Sequence, residues 1–249
     1  MIWSADMNIP SYLQYIENPH NFDRTALRQA MATSGIEIGD TSYKYHLNKL
    51  LKSGIITRIG RNRYCISTAD TLKYDYRTSR YARKVMKVIS TLFPSLTYTL
   101  METAQLNEFL DQPLEDNIFF LSVEANMVDF IFAFLQKEYP NTVLNNPTAV
   151  EFRQNRCHQM IVIEKLISEA PLDKQRTVKT RLEKLLVDTI SDKLIYRNLS
   201  EDQLDSIFVK AFETYGIDES CLIRYARRRG SYNRMMKILE RNNIAMKTK

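Results

Sequence analysis

The hydrophobic positions of the first seventy residues repeat with a helical period and then change to the alternating period of strands. Residues 9–18 predict a first helix, and residues 23–35 predict a second one with apolar residues three and four positions apart. Residues 41–52 predict a third helix, with Asp40 or Thr41 as its N-cap. Residues 55–67 form two short β-branched and aromatic runs around a Gly-Arg-Asn turn, which predicts a hairpin.

That order of helix, helix, turn, helix and hairpin is typical of a winged helix-turn-helix, with the hairpin as the wing. On a wheel of about 100° per residue, the third helix has one apolar stripe, formed by Tyr43, Leu47, Leu50 and Leu51. The opposite face is polar and basic, and it carries Thr41, Ser42, Tyr45, Asn48, Lys49 and Lys52. A helix in the major groove needs short hydroxyls and amides near base edges and cations near phosphates.

No acidic residue occurs from Thr41 to Ala69, whereas six lysines and arginines do. The residues that we expect to contact bases are Thr41, Ser42, Tyr45, Asn48 and Lys49. The expected phosphate or wing contacts are Lys44, Arg61 and Arg63, because arginines at a wing tip reach phosphates or the minor groove. His46, at the flank of the stripe, is interpreted as a packing residue. The alternative is a solvated amphipathic helix with a small hairpin, or a winged helix that contacts only proteins.

Beyond a polar connection, residues 78–249 mix strand and helix patterns and then end in helices alone. Strands are predicted at residues 96–102, 117–124, 142–145 and 160–166. Helices are predicted at residues 78–93, 104–110, 128–139, 180–194, 201–216, 219–230 and 232–243. The prediction is a mixed fold, with a winged helix-turn-helix over residues 1–70 and an α/β domain with a helical C-terminal part over residues 78–249.

Charge is unevenly distributed along the chain, which the net charge of +6 conceals. Residues 1–80 carry 11 Lys/Arg against 7 Asp/Glu, residues 81–220 carry 15 against 21, and residues 221–249 carry 9 against 1. Clustered positive charge favours a polyanionic partner such as nucleic acid. The sequence has no apolar run long enough to cross a bilayer and no secretory pattern, so we expect a cytoplasmic protein without membrane contact. Three widely spaced cysteines predict reduced thiols.

The sequence contains no convincing catalytic constellation, so we expect no enzyme activity, no cofactor and no metal ion. Glycine-rich phosphate loops are absent, and the three histidines lie in different segments. The adjacent Cys157 and His158 would point to opposite faces of a strand, which does not suit a nucleophile and its base. Glu164 and Lys165 lack the E-x-K spacing of a nuclease metal site.

Two charged helices of the second region are candidates for binding a partner. On the first, Lys184, Asp188 and Asp192 follow one another at steps of four residues, away from the apolar stripe. We interpret them as solvated charges with one favourable pair, or as a surface that faces a partner. The second helix carries the closely spaced arginines Arg224, Arg227, Arg228 and Arg229, and Arg234 follows in the next predicted helix. They predict a cationic surface for nucleic acid, phosphate or an acidic protein, with a solvated face as the alternative.

The segment TSYKYHLNKLLKSGIITRIGRNRYCI resembles the winged-helix segment of AbiEi-type antitoxins, the regulatory half of type IV toxin–antitoxin modules. The stretches YTLMETAQLNEFL, LLVDTISDKL and LIRYARRRG resemble that family too, so the likeness covers most of the chain. The resemblance implies an autoregulator that binds double-stranded DNA at its own operator through residues 41–52 and 55–67. It also implies that residues 78–249 counter a nucleotidyltransferase toxin, with Asp188, Asp192 and the arginines from Arg224 to Arg229 as candidates.

Three hypotheses for the function follow from the sequence. The leading one is a transcriptional autoregulator and antitoxin, based on the acid-free basic module and the resemblance. The second is a ligand-responsive winged-helix transcription factor whose C-terminal domain senses a metabolite. The third is an enzyme with a DNA-targeting domain, which would need clustered carboxylates that the sequence does not display.

Overall fold

The computed structural model of the chain describes residues 10–19, 22–36, 39–60, 62–66, 73–172, 180–244 and 246. Over these residues the fold is mixed α/β and contains a two-stranded and a four-stranded sheet. None of the helices in the described ranges combines the length and the apolar character that a bilayer crossing requires.

The first part of the chain packs its helices and a hairpin around one apolar core. Its elements are a 3-10 helix at Ser11–Tyr15, helix α1 at Arg24–Thr33, helix α2 at Asp40–Lys52, and strands β1 at Ile56–Gly60 and β2 at Arg63–Ile66. Each element contributes buried side chains to this core, among them Leu13, Leu27, Leu47, Ile56 and Tyr64. The second predicted helix, the third one and the hairpin are therefore confirmed.

The first predicted helix and the cap of the third are wrong. The first helix is only a 3-10 turn, because the chain is already extended at Ile16; Ile9 lies outside the described residues. Asp23 caps α1 as predicted, accepting a hydrogen bond from the Ala26 backbone N–H at 2.8 Å. Helix α2 has Gly39 as its N-cap and Asp40 as its first residue, and the Asp40 carboxylate forms an ion pair with Arg28 instead of capping.

The hairpin is tied to the segment that precedes α1. Strands β1 and β2 pair in antiparallel fashion, with Thr57 opposite Cys65. Asn62, in the turn, has a φ of 58°, a left-handed conformation that asparagine tolerates. Phe22 is extended and pairs with Tyr64 through two backbone hydrogen bonds of 2.8 Å. The hairpin therefore gains a short third extended segment at its β2 edge.

The second part of the chain is built on a four-stranded sheet of order β3-β4-β6-β5. Its elements are α3 at Arg80–Leu92, β3 at Tyr98–Glu102, a 3-10 helix at Thr103–Glu108, β4 at Phe119–Val123, α4 at Val128–Glu138, β5 at Val143–Asn145, α5 at Ala149–Asn155 and β6 at Ile161–Lys165. Strands β4, β6 and β5 run parallel, and β3 is antiparallel to β4. The four predicted strands are confirmed, whereas α5 was not predicted.

Helices cover both faces of this sheet, so its strands are buried on both sides. Alternate strand residues such as Leu121 and Ile163 pack against α3 and α4. The intervening residues, such as Phe120 and Val162, face α5 and the C-terminal helices. The alternation follows from the two-residue period of a strand, and it decides which polar side chains meet on each face.

The C-terminal helices are α6 at Leu182–Ser191, α7 at Lys193–Tyr196, α8 at Glu201–Thr214, α9 at Glu219–Arg228 and α10 at Tyr232–Arg241. The single helix predicted over residues 180–194 is wrong, because Asp192 breaks it with a ψ of 120°. The Asp192 carboxylate then caps α7 by accepting a hydrogen bond from the Leu194 backbone N–H at 2.8 Å. The two parts of the chain meet where α9 packs against β1, and Thr57 lies beside Gly216.

Candidate functional site

The polar face of α2 lies open to solvent, as the helical wheel predicts. Tyr43, Leu47 and Leu50 are buried in the core of the first part, and Leu51 is half-buried. The candidate base and phosphate contacts on this helix are all exposed, namely Thr41, Ser42, Lys44, Tyr45, Asn48 and Lys49. Tyr45 is 66% exposed, which is unusual for so large an aromatic side chain. We call this set of residues, together with Lys52, the α2 face.

The lysines of the α2 face lie outside the ion pairs of the described residues, although the Lys44 charge contributes to lowering the pKa of Asp40. Lys44, Lys49 and Lys52 form no ion pair with any residue that the structure describes. Asp40, one turn before Lys44, is paired with Arg28, whose guanidinium also lies 4.4 Å from the centre of the Tyr43 ring. The hydrogen bond from Arg28 lowers the pKa of Asp40 below its ordinary value, so this carboxylate is ionised and already compensated at neutral pH.

His46 is half-buried at the edge of the apolar stripe, in keeping with its interpretation as a packing residue. Its ring contacts that of Tyr45 edge-on, with 5.8 Å between the ring centres.

The hairpin stands beside α2 and is fixed to the start of α1. The Tyr64 hydroxyl accepts a hydrogen bond from Arg24 Nε at 3.2 Å, and the Asn62 side-chain oxygen accepts one from the Arg24 backbone N–H at 3.3 Å. Arg63, a predicted wing contact, is exposed at the start of β2. Arg61, the other predicted wing contact, lies outside the described residues.

The interpretation of the charged face of α6 as solvated or partner-facing is wrong for Lys184 and Asp188. Their side chains are only 2% and 4% exposed, because this face of α6 lies between the sheet and α9. Lys184 Nζ and Asp188 Oδ2 lie 2.5 Å apart and form a buried ion pair. Asp192 is 14% exposed, with one carboxylate oxygen committed to its cap. Asp188 therefore presents no surface to a protein partner.

The ion pair belongs to a larger group that the sequence did not predict, in which Glu164 and Arg229 are half-buried and the other members are buried. We call it the ionic cluster: Ser122, Glu164, Lys184, Asp188, Tyr225 and Arg229. Lys184 donates to the Ser122 hydroxyl at 3.3 Å, and that hydroxyl donates to Glu164 Oε1 at 2.8 Å. The Tyr225 hydroxyl donates to Asp188 Oδ1 at 2.8 Å. Burial, and then the Asp188 charge, raise the pKa of Tyr225, so its hydroxyl stays protonated.

Arg229 closes the ionic cluster on the side of α9. Its Nε lies 3.2 Å from Asp188 Oδ1, although the N–H does not point at that oxygen and has no other acceptor among the described residues.

Burial is the largest influence on Glu164 and raises its pKa to about 7. A carboxyl with this pKa exchanges its proton near neutral pH. In the sequence, Glu164 could be recognised as a candidate because it is the one acidic residue of the apolar strand β6. Ser122 and Tyr225 carry no comparable signal.

The arginines of α9 and α10 do not form the single cationic surface that was predicted. Arg224, Arg227 and Arg228 are exposed as expected, but Arg224 pairs with Glu169 at 2.8 Å. Arg227 lies 4.9 Å from the centre of the Tyr232 ring, and Arg228 Nε donates to Ser168 Oγ at 2.6 Å. Arg229 points inward. Residues on a helix point in several directions, so closely spaced arginines contact different neighbours.

The cysteines are free thiols, as expected; Cys65 and Cys221 are buried and Cys157 is half-buried. Burial raises the pKa of Cys221 to about 11, which is opposite to the activation that a nucleophilic thiol needs. Across the described ranges, no group of three or more His, Cys, Asp or Glu side chains is arranged to hold a metal ion.

These features define a mixed α/β protein with an exposed basic helix in its first part and a buried ionic cluster in its second. Residues 42–245 match the family described as "Family of unknown function (DUF6577)", and the chain belongs to that family. No curated protein matches the sequence. The chain is similar to the solved structure of the RV2827C protein from Mycobacterium tuberculosis, with 12% identity over 95% of this chain and 83% of that one. The TM-score of this match is 0.24, too low to support an inference about fold or function.

Proposed function

We propose that the chain is a DNA-binding transcriptional autoregulator whose first part acts as a winged helix-turn-helix. The order of elements supports this: the 3-10 helix, the extended Phe22, α1, α2 and then the hairpin, to which Phe22 pairs. In such a module the second helix of the helix-turn-helix enters the major groove, and here that helix is α2. The hairpin, held by Arg24 and Phe22, is then the wing.

The observation that carries the proposal is the composition and exposure of the α2 face. Hydroxyl and amide groups of Thr41, Ser42 and Asn48 are exposed beside Lys44 and Lys49, which form no ion pair within the described part of the chain. The hydroxyls and the amide are suited to base edges, whereas the lysines neutralise phosphates and release counterions from DNA. A merely solvated helix and hairpin have no need for the absence of acidic residues from Thr41 to Ala69.

Replacing Lys49 with alanine should weaken binding to DNA from upstream of the protein's own gene and make it less dependent on salt. One lost phosphate contact lowers the slope of log K against log salt concentration by about 0.9. We would measure binding by fluorescence anisotropy between 50 and 300 mM salt. Lys137→Ala is the matched control, because Lys137 is also exposed in the last turn of a helix but lies on α4.

Equal slopes for wild type, Lys49→Ala and Lys137→Ala would contradict the placement of α2 on DNA. An equal loss of DNA affinity in Lys49→Ala and Lys137→Ala would indicate an effect of net charge alone. Salt-insensitive or absent binding by the wild type would contradict DNA binding altogether and favour a module for protein contacts.

The resemblance to AbiEi-type antitoxins extends the proposal to a role as antitoxin against a nucleotidyltransferase toxin. Under this proposal, the second part of the chain neutralises the toxin, and DNA binding by the first part is a separate activity. Expressed from a foreign promoter, Lys49→Ala should lose autorepression of a reporter but still restore growth of cells that make the neighbouring toxin. If neither wild type nor variant restores growth, or if no such toxin gene lies nearby, the antitoxin proposal is excluded.

A ligand-responsive winged-helix transcription factor with a C-terminal sensor domain is the second candidate function. The observation that favours it is a cavity of about 380 Å³ in the second part, bordered by members of the ionic cluster. Known small-molecule sites have roughly this size or more. Binding of a small molecule to this cavity can be measured with the protein alone, without DNA.

A further inference from the structure

A solvent-connected cavity lies where the parallel strands β5 and β6 end. The residues that line it include Asn146, Thr148, Val162 and Glu164 from the sheet and the segment after β5, and Asp192 and Arg229 from the C-terminal helices and their ends. We call it the carboxyl-edge cavity, because open α/β sheets bind ligands outside the carboxyl ends of their strands. Its volume of about 380 Å³ is sufficient for a small organic molecule.

The charges around the carboxyl-edge cavity do not balance when Glu164 is ionised. Three carboxylates, Glu164, Asp188 and Asp192, face two cations, Lys184 and Arg229. Asp188 forms an ion pair with Lys184 and also contacts Arg229. Asp192 Oδ2 lies 4.0 Å from Arg229 Nη2. The Lys184 charge also acts on Glu164, but only the Ser122 hydroxyl joins the two side chains, so Glu164 is the carboxylate of this group without a direct ion pair among the described residues. Lys193 also lines the cavity, but it is exposed, and solvent screens its charge.

The position of Glu164 suits it to receive a charged ligand. One oxygen, Oε1, is held by the Ser122 hydroxyl at 2.8 Å, which fixes the carboxylate against the sheet. The side chain is only partly exposed and lines the cavity. A cationic nitrogen there would supply the missing charge at short range, where water screens the interaction weakly.

We propose that the carboxyl-edge cavity binds a small organic cation, with the ammonium group of the ligand held by Glu164. Asp192, which also lines the cavity, adds a second carboxylate near the same space. Arg229 and Lys184 compensate two of the three carboxylates, so one ammonium group completes the balance, and the second ammonium group of a diamine would stay in the solvent-connected part of the cavity. The proposal concerns the second part of the chain and does not depend on DNA binding.

The test is isothermal titration calorimetry of the full chain, without DNA, with putrescine as the probe. Putrescine should bind saturably, with one molecule per chain, whereas 1,4-butanediol, which has the same length without charge, should not bind. Glu164→Gln keeps an oxygen for the Ser122 hydroxyl but removes the charge, and it should weaken putrescine binding about tenfold or more. Glu138→Gln, at an exposed position on α4, is the matched control and should bind like wild type.

A second variant keeps the proposal testable if Glu164→Gln is unstable. Asp192→Asn retains a side-chain oxygen to cap α7 but removes a carboxylate, and it should also weaken binding by several-fold. If Glu164→Gln and Asp192→Asn both bind putrescine as wild type does, or if wild type shows no saturable binding, the proposal is overturned. Equal weakening by Glu138→Gln would also overturn it, because the cation would then be bound by general surface charge.

Binding should become about tenfold stronger between pH 6 and pH 8, because burial raises the pKa of Glu164 to about 7 and the ligand needs the ionised form. The groups that face Glu164 are Ser122 on β4, Lys184 and Asp188 on α6, Asp192 at the start of α7, and Tyr225 and Arg229 on and after α9. A pH-independent affinity would mean that the ammonium group binds elsewhere.

Discussion

Replacing Asp188 with alanine should lower the free energy of unfolding by about 3–5 kcal/mol, which is typical when one partner of a buried ion pair is removed. The Asp188 carboxylate balances the charges of Lys184 Nζ at 2.5 Å and Arg229 Nε at 3.2 Å. It also accepts a hydrogen bond from the Tyr225 hydroxyl at 2.8 Å. The alanine variant leaves two buried cations without their shared counter-charge. Urea denaturation followed by circular dichroism measures the loss.

The control for this prediction is Asp111→Ala, which removes an exposed ion pair with Lys210 at 2.6 Å. The Asp111 side chain is 87% exposed, so we expect its loss to change the free energy of unfolding by about 1 kcal/mol or less. If Asp188→Ala were as mild as the control, either Glu164 would have become the counter-charge of Lys184, or water would have entered the ionic cluster and hydrated Lys184 and Arg229. In the second case, the carboxyl-edge cavity would extend deeper than the structure indicates.

Replacing Leu47 with alanine should destabilise the first part of the chain by about 2–5 kcal/mol, the usual cost of truncating a buried leucine. Leu47 is 4% exposed and holds α2 against the core of the first part. The buried residues of that core lie between Tyr12 and Ile66, whereas the other two cores begin at Met101 and Ala82. Hydrogen exchange should therefore speed up in residues 10–66 before it does in the sheet of the second part.

Asn48→Ala, one residue further along α2, is the control for Leu47→Ala. Asn48 is exposed, so its replacement should leave hydrogen exchange unchanged in both parts. If Asn48 contacts a base, the same variant should lose DNA affinity at normal stability. Uniformly faster exchange across the whole chain in Leu47→Ala would show that the first part does not unfold separately.

The contact between α9 and β1 connects the two proposed activities physically. Tyr225 and Arg229, both in the ionic cluster, lie on or just after α9, and the same helix packs against β1 of the hairpin. The effect of putrescine on DNA affinity, compared with 1,4-butanediol, distinguishes the candidate functions. A change that Glu164→Gln abolishes would favour the ligand-responsive regulator. No change would leave ligand binding and DNA binding as separate activities of the chain.

Local sequence patterns were sufficient to predict most helices and strands and to predict which side of α2 is exposed. The cap residue Asp23, the period of the α2 stripe and the turn around Asn62 all depend on neighbours within a few positions. For the same reason, the wheel separated buried Leu47 from exposed Asn48 correctly. The prediction failed where a distant side chain competed, as when Asp40 paired with Arg28 rather than capping α2.

Residue spacing is sufficient to predict the strands, most helices and the basic residues on the exposed side of α2, because each of these patterns depends on neighbours a few positions apart. The burial of Lys184 and Asp188 results from tertiary packing and is not visible in their helical spacing, which is the same on a surface helix. The tertiary structure also brought Ser122, Glu164 and Tyr225 together from separate elements, through strand alternation and helix packing. Those contacts join positions 37 to 62 residues apart, and no local pattern contains that information.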